Sequence, residues 1–148
     1  MKIKNLSKNE VVSIANIANK LNVPYMWLYQ LIKFESGFNP KIKNPLSSAT
    51  GLIQFIDSTA QSLGFNNSAH LVNKLPGVVS QMNGAVYPYL KKFMPFESKQ
   101  SLYLSVFYPK YRNEPANKEF PLHVQKVNPG IVTVKDYVDF VDQKKKTC

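Results

Sequence analysis

Apolar residues recur at helical spacing along most of this chain, several of the stripes begin at a capping signal, and no other feature restricts its fold as strongly. Ser7 and Glu10 form a Ser-x-x-Glu box ahead of Val11, Ile14, Ala15 and Ala18, which predicts a first helix over residues 8–20. Asn22 and Val23 make a turn. Pro24 suits the first turn of a second helix through YMWLYQLIKFE, and Gly37 suits a left-handed terminus. FNPKIKNPLSSATG is a loop by its Asn, Pro, Ser and Gly content. Asp57 or Ser58 can cap a third helix ending near Gly64, with a loop from there to Pro76. Val79, Met82, Val86 and Leu90 then recur at helical spacing, and Pro88 is expected to kink or split that helix. SLYLSVFYP reads as a short apolar element, helix rather than strand. Pro109, Pro115, Pro121 and Pro129 argue against a regular element over residues 109–131. Thr133 with Asp136 can cap a last helix whose Val134, Tyr137, Val138 and Val141 form one stripe, and KKKTC reads as a solvated tail. The expectation is a mainly α chain.

With 148 residues, 44% of them hydrophobic, the chain can bury a core as one domain covering residues 1–148. Nineteen Lys and Arg against nine Asp and Glu leave a net charge of +10, which favours polyanionic partners. Nucleic acid, acidic lipids and the anionic bacterial cell wall all qualify, and solubility alone is the plain alternative. The basic residues are scattered without a binding motif, which disfavours nucleic acid. Cys148 is the only cysteine, so no internal disulfide or cysteine cluster can form, and His70 and His123 lie far apart. No metal and no cofactor are therefore expected. The opening MKIKNLSKNEVVSIANIANKLNV is basic but lacks the apolar core and cleavage site of a secretory signal, and no stretch reaches the roughly 18 apolar residues of a membrane span.

On the second predicted helix, Leu28, Leu31 and Ile32 form an apolar stripe, and Glu35 falls on that stripe seven residues after Leu28. Its carboxylate faces the core side in the last turn, where the negative end of the helix dipole disfavours an anion. Desolvation and dipole act in one direction, favouring the protonated form near neutrality. A proton donor to a glycosidic oxygen needs that property. A glutamate that snorkels or pairs with a lysine at the helix end is the structural alternative.

From Glu35 the chain reads ESGFNPKIKNPLSSATGLIQFIDSTAQSLGF. This resembles the lytic transglycosylase motif of Glu-Ser, an aromatic-Asn-Pro, then Gly-Leu-hydrophobic-Gln before a capped helix. LPGVVSQMNGAVYPYL, LYLSVFYP and NPGIVTVKDYVDFV are similar to the phage-associated branch of that family, which is related to goose-type lysozymes. The resemblance implies a lysozyme-like single domain with a substrate cleft, and peptidoglycan glycan strands as the partner. It also implies that Glu35 is the catalytic acid and base and that Gln54 lines the sugar cleft beside the backbone of Gly51 and Leu52. Ile56 falls where many relatives carry a cleft-lining methionine, and Asn44 where some carry a serine beside the carboxylate. Ser36 is a further candidate contact, with bonding to its own backbone as the alternative. Phe38, Ile53 and Phe55 read as core residues. Gln54 lies inside the apolar run GLIQF and needs a ligand or a backbone partner if buried. The family's Ala-Tyr-Asn-Ala-Gly motif is missing; LYLSVFYP puts Phe107 and Tyr108 near the expected tyrosine. Tyr108, Tyr111 and Arg112 can stack on and hydrogen-bond sugars, or pack the loop.

A two-carboxylate glycosidase needs a second acid roughly 5 to 9.5 Å from the first. Asp57 is nearest in sequence but has a sufficient job as a cap, and Glu97, Glu114 and Glu119 lie on polar segments without a motif. A single carboxylate fits better. In the resembled family it protonates the leaving oxygen and then, as base, helps the muramic 6-hydroxyl close a 1,6-anhydro ring. A hydrolytic lysozyme on the same fold and a non-catalytic wall-binding module of a phage particle remain the alternatives. With no export signal, the expected setting is virion-associated or phage-released, as a monomer or a particle component acting on the bacterial wall.

Overall fold

The structure is a computed structural model and describes residues 1–144, so the tail from residue 145, with Cys148, lies outside the described residues. Contacts divide the chain into two compact units, Met1–Pro95 and a second from Phe96 onward. Among the described residues every regular element is helical, and β-pairing is confined to isolated bridges. No helix among them is long and apolar enough to cross a membrane.

The first unit begins with α1 (Lys8–Lys20) and α2 (Tyr25–Ser36). Ser7 Oγ accepts from the Glu10 amide at 3.2 Å and Glu10 Oε1 accepts from the Ser7 amide at 2.9 Å, closing the capping box expected there. The ridge that packs is Ile14, Ile17, Ala18 and Leu21; Val11, in the first turn, lies outside it and is exposed. α1 lies against α2 and against the helical stretch that begins at Val78. On α2, Leu28, Leu31 and Ile32 are fully buried, as their spacing required. Gly37, at φ 59°, ends the helix in the left-handed conformation.

α3 (Asp57–Ser62) starts differently from expectation. Ile56 is its N-cap residue, without a side-chain bond, and the helix ends two residues before Gly64. The Asp57 carboxylate instead accepts from the Ser68 amide at 2.9 Å, fastening the start of α3 to the start of α4 (Ser68–Lys74). α4 occupies what reads in sequence as loop: seven residues are too few for periodicity to register, although Asn67 caps it through the His70 amide at 2.8 Å.

From Val78 to Leu90 the backbone is helical throughout, as α5 (Val78–Gln81), a π turn (Met82–Val86) and α6 (Tyr87–Leu90). Pro88 lacks an amide hydrogen, and its ring crowds the carbonyl of Gly84 four residues back. The π turn widens the helix just there, with the Tyr87 amide bonding the Met82 carbonyl, so the helix neither breaks nor splits. Gly84 also lets Leu75 approach closely: a Cβ there would lie 2.9 Å from Leu75 Cδ2.

The second unit pairs α7 (Lys99–Phe107) with α9 (Val134–Val141). Ser98 caps α7 through the Ser101 amide at 3.2 Å, and Thr133 caps α9 through the Asp136 amide at 3.2 Å. The Tyr103 hydroxyl donates to Asp142 Oδ1 at 2.7 Å, and Lys99 forms an ion pair with the same carboxylate. Phe107 stacks on Tyr137 with centroids 4.2 Å apart. The segment 109–131, expected to hold no regular element, contains a 3-10 turn (Pro109–Tyr111) and α8 (Leu122–Lys126). Pro109 and Pro121 explain both: each supplies the fixed φ that suits a helix start, at N1 of the turn and just ahead of α8.

Candidate active site

Glu35 occupies the last turn of α2, half-buried, one turn beyond the fully buried Leu31 and Ile32. Ser36 is completely buried, and its hydroxyl donates to the Ile32 carbonyl at 3.0 Å. Its local backbone bond is therefore satisfied within the helix. Gly37 and Phe38 then both adopt left-handed backbone, at φ 59° and 65°. For a glycine this is free; for a phenylalanine it stores strain on the order of 1–3 kcal/mol. Burial of the Phe38 ring, with Tyr29 at 4.9 Å, holds it there. The double reversal turns the chain sharply away just after the carboxylate.

The loop that follows closes as a small knot of backbone bonds. Thr50 and Phe55 exchange both of their amide–carbonyl bonds, at 3.0 and 2.8 Å, around the turn formed by Gly51, Leu52, Ile53 and Gln54. The Gly51 amide donates to the Ile42 carbonyl at 2.9 Å, tying this turn back to the strand of loop after α2. Gln54 has φ 59° and is half-buried; its Nε2 donates to the carbonyls of Gly51 at 3.1 Å and Ile42 at 3.4 Å. Those bonds spend the amide nitrogen, while among the described residues no donor reaches the amide oxygen. Gly51, at φ 88°, has no room for a side chain, since a Cβ would lie 2.8 Å from Gln81 Oε1.

That glutamine is the residue the sequence reading missed. Gln81 is fully buried on α5, its Oε1 accepts from the Leu52 amide at 3.0 Å, and its Nε2 donates to the carbonyls of Pro40 at 2.6 Å and Leu75 at 3.0 Å. One side chain thus pins the turn, the loop after Glu35 and the end of α4. The signal that could have found it is related to the one used for Gln54: a glutamine on the apolar face of a predicted helix, here three residues after Val78 and next to Met82, must have partners if buried.

The remaining candidates fall into distinct settings. Leu52 is buried with its amide committed to Gln81, whereas Ile56 is exposed at 46%. Asn44 is exposed, and its Oδ1 accepts from the Leu46 amide at 2.8 Å in a local turn. In the second unit Phe107, Tyr108 and Tyr111 gather around the buried Phe120, with Tyr111 stacked on it at 5.6 Å and Tyr108 edge-on to Tyr111 at 4.7 Å. Asp57, the nearest second carboxylate in sequence, is held below its ordinary range, chiefly by the Ser68 amide, then by the Ser68 hydroxyl and by Lys43. It is engaged as a structural anion.

A helical domain that carries one half-buried carboxylate at a helix end, above two left-handed residues and a pinned glycine turn, is of the lysozyme-like class. The transglycosylase SLT domain family model matches residues 13–96, more than half of the chain. The chain belongs to that family, whose members degrade peptidoglycan by cleaving its glycosidic bonds. No curated protein matches the chain.

Proposed function

We propose that the chain is a lytic transglycosylase that cleaves the MurNAc–GlcNAc β-1,4 bond of peptidoglycan with Glu35 as its single catalytic acid and base. The observation that carries this reading is the setting of Glu35: half-buried, in the last turn of α2, inside the matched span and immediately before the paired left-handed residues. The helix end and the apolar stripe beneath it favour retention of the proton until the leaving oxygen takes it. Glu35 then acts as base toward the muramic 6-hydroxyl, whose oxygen attacks the anomeric carbon and closes the 1,6-anhydro ring. No water is consumed.

The uncommitted oxygen of Gln54 and the exposed face of Ile56 are the proposed glycan contacts in the same unit, beside the backbone of Gly51 and Leu52 and with Asn44 on the loop. Ser36 acts as a positioning residue, since its hydroxyl is bonded within the helix. Tyr108 and Tyr111 are half-buried and keep ring surface for stacking on sugars; Phe107 lies with one face on Tyr137. The whole chain works as one catalytic domain, as a monomer or as a component of a phage particle that delivers it to the wall.

Purified sacculi digested with the wild-type protein and with Glu35→Gln test the reading, with muropeptides identified by mass spectrometry. Anhydro-muramyl ends from the wild type, and none from the variant at unchanged thermal unfolding, are the expected result. Reducing ends would replace the transglycosylase by a hydrolytic lysozyme. Binding to sacculi without any cleavage would replace it by a wall-binding module.

A further inference from the structure

The segment ahead of α1 lies directly on the end of the helix that carries Glu35. The Lys4 amide donates to the Gly37 carbonyl at 2.9 Å, and a Cβ on Gly37 would meet the Lys2 carbonyl at 2.8 Å. Between this segment and the loop after α2 is a hollow of about 480 Å³, lined among others by Lys2, Lys4, Asn5, Asn39 and Lys41. Lys41 is shared with a second hollow of about 320 Å³, where Lys43 and Asn73 also lie. Both walls of the first hollow are fixed. Gln81 holds the Pro40 carbonyl at 2.6 Å, and Asn39 Oδ1 accepts from the Lys41 amide at 3.0 Å.

The charges are unequal. Lys4 is neutralised by Glu10 at 2.7 Å, and Lys43 donates to the Ser47 carbonyl at 3.1 Å with Asp57 in its field. Lys2 and Lys41 have no carboxylate within ion-pair distance among the described residues. The Asn39 amide nitrogen remains a donor because its oxygen is the bonded atom. Two uncompensated ammonium groups with neighbouring amide donors, in a preformed groove, suit a carboxylate.

We propose that this groove binds the carboxylates of the peptide stems attached to the glycan strand. It rests on the reading of the chain as a wall-cleaving enzyme. The position argues for a stem rather than an unattached anion: Gly37 is two residues from Glu35, no more than about 7 Å along the backbone. A carboxylate covalently linked to the strand at Glu35 is delivered to the groove by the strand itself. A phosphate polymer that is not attached to the strand has no such tether. The groove thus reads whether a strand still carries its peptides.

The double variant Lys2→Gln/Lys41→Gln, with thermal unfolding as the fold control, is assayed on intact sacculi and on glycan strands freed of peptide by an amidase. The expected result is a rise in KM on the order of fivefold on sacculi, with unchanged kinetics on peptide-free strands. Equal losses on both substrates, or none on sacculi, overturn the proposal. Sacculi stripped of wall phosphate polymers give a further arm, and a loss that disappears on stripping also overturns it. Sedimentation of the same double variant in a Glu35→Gln background reads binding without turnover. Should the wild type prove non-lytic, the function proposed above fails, while a peptide-dependent binding defect in the double variant still supports the groove and its absence still refutes it.

Discussion

The two compact units solve the same problem, holding irregular chain in place, by different means. In the first, the loop between α2 and α3 is organised by polar groups: Gln81 satisfies three backbone groups at once, and the paired bonds of Thr50 and Phe55 close the glycine turn. In the second, the long proline-rich segment is built around rings, with Phe107, Tyr108 and Tyr111 arranged about Phe120 and the stack of Phe107 on Tyr137. Its polar ties are fewer: Gln100 Nε2 donates to the Glu114 carbonyl at 2.6 Å and Gln125 Nε2 to the Phe120 carbonyl at 2.7 Å. The family match covers residues 13–96, nearly the extent of the first unit beyond its opening segment. Buried hydrogen bonds demand particular atoms at particular distances, whereas ring packing tolerates exchange of one ring for another. A loop that must present backbone in one geometry is therefore better built the first way.

On this contrast, substitutions at Glu35 and in the pinned loop between α2 and α3 damage activity, and those in the second unit mainly stability. The largest effect expected is that of Glu35→Gln, a loss of wall-lytic rate of about 10²-fold or more, read by turbidity of sacculi, with no change in melting temperature. Comparable loss from Tyr108→Ala would break the contrast. Gln81→Ala comes next. It leaves the Leu52 amide and the Pro40 and Leu75 carbonyls without their partner, and should cost about 3 kcal/mol in urea unfolding as well as most of the activity. A variant that is destabilised but fully active would show that the pinned turn is not part of the site.

Tyr103→Phe removes one bond to Asp142 but leaves Lys99 beside that carboxylate, so a loss of about 1 kcal/mol is expected, with lytic rate retained. Thr133→Ala, which removes the α9 cap, should cost a similar amount, about 1 kcal/mol, again without change in rate. The smallest effect concerns acid. Burial raises the Glu10 carboxyl, but the Lys4 ion pair and the bonds with Ser7 outweigh it, so it lies below its ordinary 4.5. Its contribution is therefore complete above that value and is lost as pH falls through the depressed one. Glu10→Gln should flatten this part of the acid limb in a melting-temperature series while changing little at neutral pH.

Much of the helical layout was legible before any coordinates. The boxes at Ser7 and Thr133 are local chemistry within four residues, and both form as read. The α2 stripe and its end at Gly37 are also local, because helical spacing and a left-handed glycine need no distant partner. Asp57 shows the limit. Its residue type suggested a cap, but a carboxylate at a helix start can equally serve the next helix, and only the approach of Ser68 decides which. α4 escaped notice because seven residues make barely two turns. Pro88 predicts a disturbance from its residue type alone, but that the helix widens into a π turn instead of breaking shows only in the Tyr87–Met82 bond.

By itself, the sequence determined the helical class, the ends of α1 and α2 and the start of α9, and the placing of Glu35 on an apolar stripe at the last turn of its helix. Each of these depends on interactions within one turn or one repeat of the helix. The tertiary structure alone decided that Gln81 pins the turn holding Gly51 and Leu52, that Phe38 is driven into left-handed backbone, and that the segment ahead of α1 lies across Gly37. The Gln81 bonds join residues 29 and 41 positions apart, the Lys4–Gly37 bond joins residues 33 apart, and the Tyr29–Phe38 contact joins residues nine apart. Such contacts depend on three-dimensional packing, which no local spacing rule encodes.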